Sequence, residues 1–267
     1  MTEGIPLGAA KSPPVRIFTF NIENEAPVMR KSILPVIAVV IALALASAGA
    51  SAKELGLELG AGLSYGTLSI SDHDSYDRYF TNLPVVSVHG SYQALPKLRL
   101  RAEYTFGKAT LDETDDFDVD VYSYSLIDLS GAIALTDHID LTAGWSRFAS
   151  GYVYSDEYPV RNVGGGFKLG LASDVPIAKN LSASVKYAFV PVMFASTFVD
   201  DQDTASENYM GQGHELRADL TYTTKFGVSV SLGFRSEKYA GISDCCQDSL
   251  HDVASFRGGS LTLCYGF

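Results

Sequence analysis

The chain is short of the features that mark most other protein classes. It has three cysteines in 267 residues. An odd number cannot form a closed disulfide framework, and Cys245 and Cys246 are adjacent while Cys264 lies near the chain end. After residue 46 no apolar run is long enough to cross a membrane as a helix. Basic charge is scarce: 20 Lys and Arg stand against 31 Asp and Glu, a net charge of −11. Such a surface repels phosphates, which excludes nucleic acid as a partner. Acidic runs occur at Asp112–Asp120 and Asp200–Glu207, but neither has the twelve-residue spacing of an EF-hand. They are read as solvated loops that could loosely hold divalent cations. No Ser–His–acid spacing stands out, and no cofactor or metal motif is legible, so none is expected.

What is present begins with an address. Met29-Arg30-Lys31 is a short basic segment, Ile33 to Ala46 is nearly all apolar, and Ala50-Ser51-Ala52 is an A-x-A cleavage site. This order is the anatomy of a secretory signal peptide over residues 29–52, with cleavage after Ala52. Residues 1–28 have no pattern of their own and are read as an extension upstream of the true start. The mature domain is then 53–267. Without residues 1–52, Lys plus Arg falls from 20 to 16 and Asp plus Glu from 31 to 28, so the net charge moves from −11 to −12.

Across that domain the hydrophobic period is two, which specifies strands with one apolar face. Leu57, Leu59, Ala61, Leu63 and Tyr65 oppose Glu58, Gly60, Gly62, Ser64 and Gly66. The same alternation recurs near Val86–Gln93, Leu98–Phe106, Ile139–Ser146, Gly166–Leu171, Leu181–Phe189, Glu215–Tyr222, Phe226–Arg235 and Ser260–Phe267. A strand over about 119–135 is less regular, and a bulge is expected near Leu126-Ile127. Short turns at Leu95–Lys97, Thr136–His138, Pro176–Asn180 and Thr224-Lys225 alternate with longer polar loops at about 70–82, 111–118, 154–162, 199–213 and 240–255. Mean hydropathy is only +0.09. The fold class is therefore all-β: a transmembrane antiparallel up-and-down barrel of ten strands, with eight the alternative. A soluble sandwich would carry Lys and Glu densely along its polar faces, whereas these faces are Gly, Ser and Thr with isolated charges.

Those isolated charges are the candidate site. Glu58, Arg99, Arg101, Glu103, Lys168, Lys186, Glu215, Arg217, Asp219 and Arg235 fall on the inward phase, as do His89, Asp128, Asp140 and Asp174. A ten-stranded barrel is too narrow to leave such charges unpaired. The expectation is a salt-bridged plug, with an ion-selective channel as the open variant.

The last strand alternates to the end, with Leu261, Leu263, Tyr265 and Phe267 on one side. Together with the signal peptide and the strand pattern, this resembles the bacterial outer-membrane β-barrels. That resemblance implies a Gram-negative outer membrane, long loops at the cell surface, contact with lipid and lipopolysaccharide, and assembly machinery that reads Tyr265 and Phe267. It implies a structural or adhesion-type protein, or a weak pore. A looser resemblance is to the omptin proteases. It implies that Asp116, Asp118 and His214 activate a water, although Gln212 stands where the histidine's acidic partner would be.

Overall fold

The computed structural model describes residues 56–71, 78–110, 119–154, 159–199, 207–242 and 250–266. The signal segment 29–52, Asp116, Asp118, Cys245, Cys246 and Phe267 lie outside the described residues. Ten strands run in chain order: β1 (Leu57–Ser71), β2 (Arg78–Leu95), β3 (Leu98–Thr110), β4 (Val119–Ala134), β5 (Ile139–Tyr154), β6 (Val160–Ala178), β7 (Leu181–Val199), β8 (Glu207–Thr223), β9 (Val228–Ile242) and β10 (Leu250–Gly266). Each pairs antiparallel with its chain neighbours, and β1 pairs with β10 from Glu58↔Gly266 to Ile70↔Ala254. The barrel is closed and has no free edge, so every ladder finds its partner within the sheet. The strands extend into the regions read as loops from sequence: β6 begins at Val160 and β8 at Glu207.

Side chains alternate across the wall, and the wall is inverted relative to a soluble protein. Leu63, Tyr65, Leu100, Leu129, Leu169, Leu220, Leu232 and Leu263 are exposed on the outside, while Ser64, Glu103, Asp128, Lys168 and Ser231 are buried inside. On β6 the outward apolar positions run from Ile177 to Phe167. Ten steps at about 3.3 Å and a tilt of about 40° give a height of about 25 Å, the thickness of a transmembrane barrel's apolar band. Tight turns close the end where the termini of the barrel lie. In one of them Gly227 takes φ +81°, a left-handed conformation that other residues resist, and Thr224 N donates to Val228 O at 2.7 Å.

Two irregularities depart from the sequence reading. The bulge expected at Leu126-Ile127 is absent: β4 pairs without a break from Val121 to Ile133 on both sides. The geometric alternation holds there, but Tyr122, Tyr124 and Leu126 point inward, so the polarity alternation fails. A real register shift falls instead between Val190 and Met193 of β7. Pro191 has no N–H to give to the ladder and sits at this break. The shift moves the inward phase from Ala188 and Val190 to Met193, Ala195 and Thr197, and leaves Phe194 exposed outside.

Candidate functional site: a two-layered lumen

The inward charges meet at mid-height. Glu103 of β3 receives Arg101 at 2.7 Å, Arg235 of β9 at 3.0 Å and Arg217 of β8 at 3.4 Å. Arg217 also holds Asp219 at 2.7 Å, and Arg235 holds Glu237. Lys168 of β6 joins Asp128 of β4 to Glu215 of β8, the latter at 2.6 Å, and Lys186 of β7 approaches Asp128 at 3.6 Å. These pairs connect five cations with five carboxylates, so the layer is electrically balanced. Neutral acceptors add to it: Arg235 Nη1 donates to Thr105 Oγ1 at 3.0 Å, and Arg217 Nη2 to Thr262 Oγ1 at 3.2 Å. The space left among these groups is about 30 Å³, room for about two waters.

Local sequence builds much of this. Residues two apart on a strand share a face. Arg101-Ala-Glu103, Arg217-Ala-Asp219 and Arg235-Ser-Glu237 therefore each present an Arg and an acid side by side. Glu237, absent from the sequence-derived set, was signalled by that shared Arg-x-acid spacing. Tyr124 and Tyr239 were missed because the alternation is irregular over 119–135 and was read only as far as Arg235 on the ninth strand.

The network is smaller than the candidate set. Arg99 is exposed near the turn end, where its Nε donates to Gln93 Oε1 at 3.4 Å, and it joins none of these pairs. Glu58 also stands apart, beside His89 and Cys264.

Above the charges, towards the long loops, the lumen is apolar. This corrects the expectation of a Gly, Ser and Thr lining throughout. Leu68, Ile70, Leu83, Val85, Leu126, Phe148, Val190, Met193 and Phe256 are buried there. Phe148 stacks on Tyr239 with centroids 4.4 Å apart, and Tyr124 on Phe256 at 6.0 Å. The two tyrosines join the layers: Tyr239 O–H donates to Glu215 Oε1 at 2.9 Å, and Tyr124 O–H donates to Glu237.

The outer wall carries a second pattern. Tyr65, Tyr104, Trp145, Phe167, Tyr187 and Phe234 are exposed towards the loop end. The first outward charges beyond them are Lys108, Arg147, Lys238 and Arg257, with Arg161 farther out over the Phe198 ring. Among the residues whose side chains are described, no Asp or Glu of a strand points outward. His214 belongs to this wall. Its Nδ1 lies 2.7 Å from Tyr187 Oη, and its ring lies 5.0 Å from that of Phe189. It points away from the lumen, so the structure does not place it over an inward cleft. Its expected partners Asp116 and Asp118 lie outside the described residues. Tyr265 is on the outer wall at the turn end, opposite Leu59 and Val228.

No family model matches the chain, and no curated protein matches it in sequence. Among solved structures, it is similar to the outer membrane protease OmpT from Escherichia coli at 9% identity and a TM-score of 0.48, covering 79% of this chain and 97% of that one. It is similar to Neisserial surface protein A at 12% identity and a TM-score of 0.43, with the same coverages. It is similar to the translocator domain of the autotransporter NalP from Neisseria meningitidis at 11% identity and a TM-score of 0.44, covering 89% and 98%. The class rests on the chain's own architecture. Ten antiparallel strands closed on themselves, apolar outside and charged within, make an outer-membrane-type β-barrel.

Proposed function

We propose that this chain is an integral protein of a Gram-negative outer membrane whose lumen is shut. Its role is structural or adhesion-type, exercised through the acidic long loops at the cell surface, with ion passage at most weak. One observation carries this reading: a charge-balanced layer lies directly beneath a stacked apolar layer. Neither layer suits a hydrated ion path. The lower one offers no net charge to select an ion, and the upper one offers no polar groups to replace its water.

The basic outer wall supports lipopolysaccharide as a neighbour. Cations just beyond an aromatic girdle stand at the height of anionic headgroups. Delivery uses the signal segment, and N-terminal sequencing of membrane-extracted protein should begin at Lys53. Assembly uses the last strand, with Tyr265 and Phe267 read by the barrel-assembly machinery.

Planar-bilayer recording of the purified barrel tests the closed state. The expected record is a baseline with rare, small events. Sustained conductance in the wild type would replace the plug with a pore.

A further inference from the structure

Close to the turn end, β1, β2 and β10 place three unlike side chains around one point. Gly60 of β1 pairs with His89 of β2 on one side and with Cys264 of β10 on the other. Glu58, two residues earlier on β1, presents its carboxylate on the same inward face. One ligand atom from each of Glu58, His89 and Cys264 lies within 4.8 Å of the other two. The glycine keeps this space open. A Cβ at residue 60 would lie 2.5 Å from the His89 ring and 2.8 Å from the Cys264 sulfur.

We propose that Glu58, His89 and Cys264 bind a borderline divalent cation of the zinc type, clamped across the seam where the first and last strands close the barrel. Carboxylate, imidazole and thiolate together suit such an ion. The distances fit. Cys264 Sγ lies 3.4 Å from His89 Nε2, and with ordinary zinc–sulfur and zinc–nitrogen lengths that separation subtends about 100°, near the tetrahedral angle. The ion takes the lone pair of Nε2 and the sulfur of Cys264, whose thiol proton is released to solvent.

The histidine is poorly satisfied as it stands. It is 6% exposed, its Nδ1 has no hydrogen-bond partner, and its Nε2 faces a thiol, a weak partner. The cations nearby do not oppose binding unopposed, because Arg101 and Arg217 each hold a carboxylate at 2.7 Å.

Among the described residues Cys264 carries a free thiol, available as a ligand.

Cobalt(II) is the probe, added to the folded, detergent-solubilised barrel carrying Cys245→Ser and Cys246→Ser. One equivalent per chain should produce a near-ultraviolet thiolate-to-cobalt band, removed by competing zinc. Cys264→Ser should abolish the band. His89→Gln should weaken binding on the order of 100-fold, at least the effect of losing an outer-shell partner. Zinc should also raise the temperature at which the compact species unfolds on a gel, and this rise should vanish in His89→Gln. A fold failure in a variant is separated from loss of the site by its own compact band without metal. No band, or a band and zinc stabilisation that both survive Cys264→Ser, overturns the proposal.

Discussion

Lys168 and Glu215 meet across the lumen, Nζ to Oε2 2.6 Å, although their strands β6 and β8 share no ladder. Asp128 of β4 closes on the same ammonium from the other side. One cation therefore staples three alternate strands. Lys168→Met should leave two buried carboxylates without their main partner and cost about 3–5 kcal/mol. The readout is a lower temperature for conversion of the compact gel species. Adding Glu215→Gln should restore most of the loss, because charge balance returns while Asp128 keeps Lys186 at 3.6 Å. A Lys168→Met barrel as heat-resistant as wild type would remove the network from the account of stability.

The two layers should act in series. Phe148→Ala with Phe256→Ala opens the upper layer but leaves the charges below intact. Bilayer conductance should then stay close to wild type, although core truncations of this kind cost about 3–5 kcal/mol each. Adding Arg235→Ser and Glu237→Ser removes one cation and one anion together, preserving balance while clearing space. That combination should conduct at least severalfold more than either pair alone. Full conductance from the upper pair by itself would show that the charge layer does not block.

Adjacent residues on β8 should differ sharply. Leu220 is 45% exposed on the outer wall, whereas Thr221 faces inward, its hydroxyl 2.8 Å from that of Ser231. Leu220→Arg puts a charge into the apolar band near the turn end of β8, at a cost below the roughly 2–4 kcal/mol of the midplane, and should lower the yield of assembled protein. Thr221→Arg should act through the lumen and spare assembly more. Equal tolerance in a folding assay would contradict this strand phase.

His214, Lys238 and Arg257 lie on three successive strands, with His214 directly opposite Lys238 and Ser236 opposite Arg257. Lys238→Glu with Arg257→Glu should weaken association with vesicles of bis-phosphorylated lipid A by about tenfold or more, and leave association with phosphatidylcholine unchanged. The wild-type preference should fade as salt rises, because exposed charges are screened beyond about 10 Å at 0.1 M. A preference that survives both substitutions and high salt would assign lipid contact to the apolar wall alone.

Much of the barrel was legible because its strongest signal is local. A residue's neighbours two positions away share its side of the wall, so Leu59, Leu63, Leu220 and Leu263 declared one phase without reference to other strands. The irregular reading of β4 arose where tertiary environment overrode that code. Near the loops the lumen is apolar, so Tyr122, Tyr124 and Leu126 face inward as aromatic and aliphatic groups, and polarity ceases to report direction. The Pro191 shift was missed for a related reason. Val190, Val192 and Phe194 read as one apolar run, and apolar residues stand on both sides of the wall at that height.

The sequence by itself determined the strands and, in the turn-side half of the barrel, their facing and the charged side chains that enter the lumen, because alternation follows from backbone geometry within one strand. It also placed Arg and acid side by side in each Arg-x-acid segment. Only the closed tertiary structure decided which strands face each other across the interior. It brought Glu103 to Arg235, 132 residues away, and Cys264 to His89, 175 residues away. Those meetings depend on register and on the number of strands that close the ring. No local pattern encodes either, since the same alternation would serve a barrel of another size with different opposite neighbours.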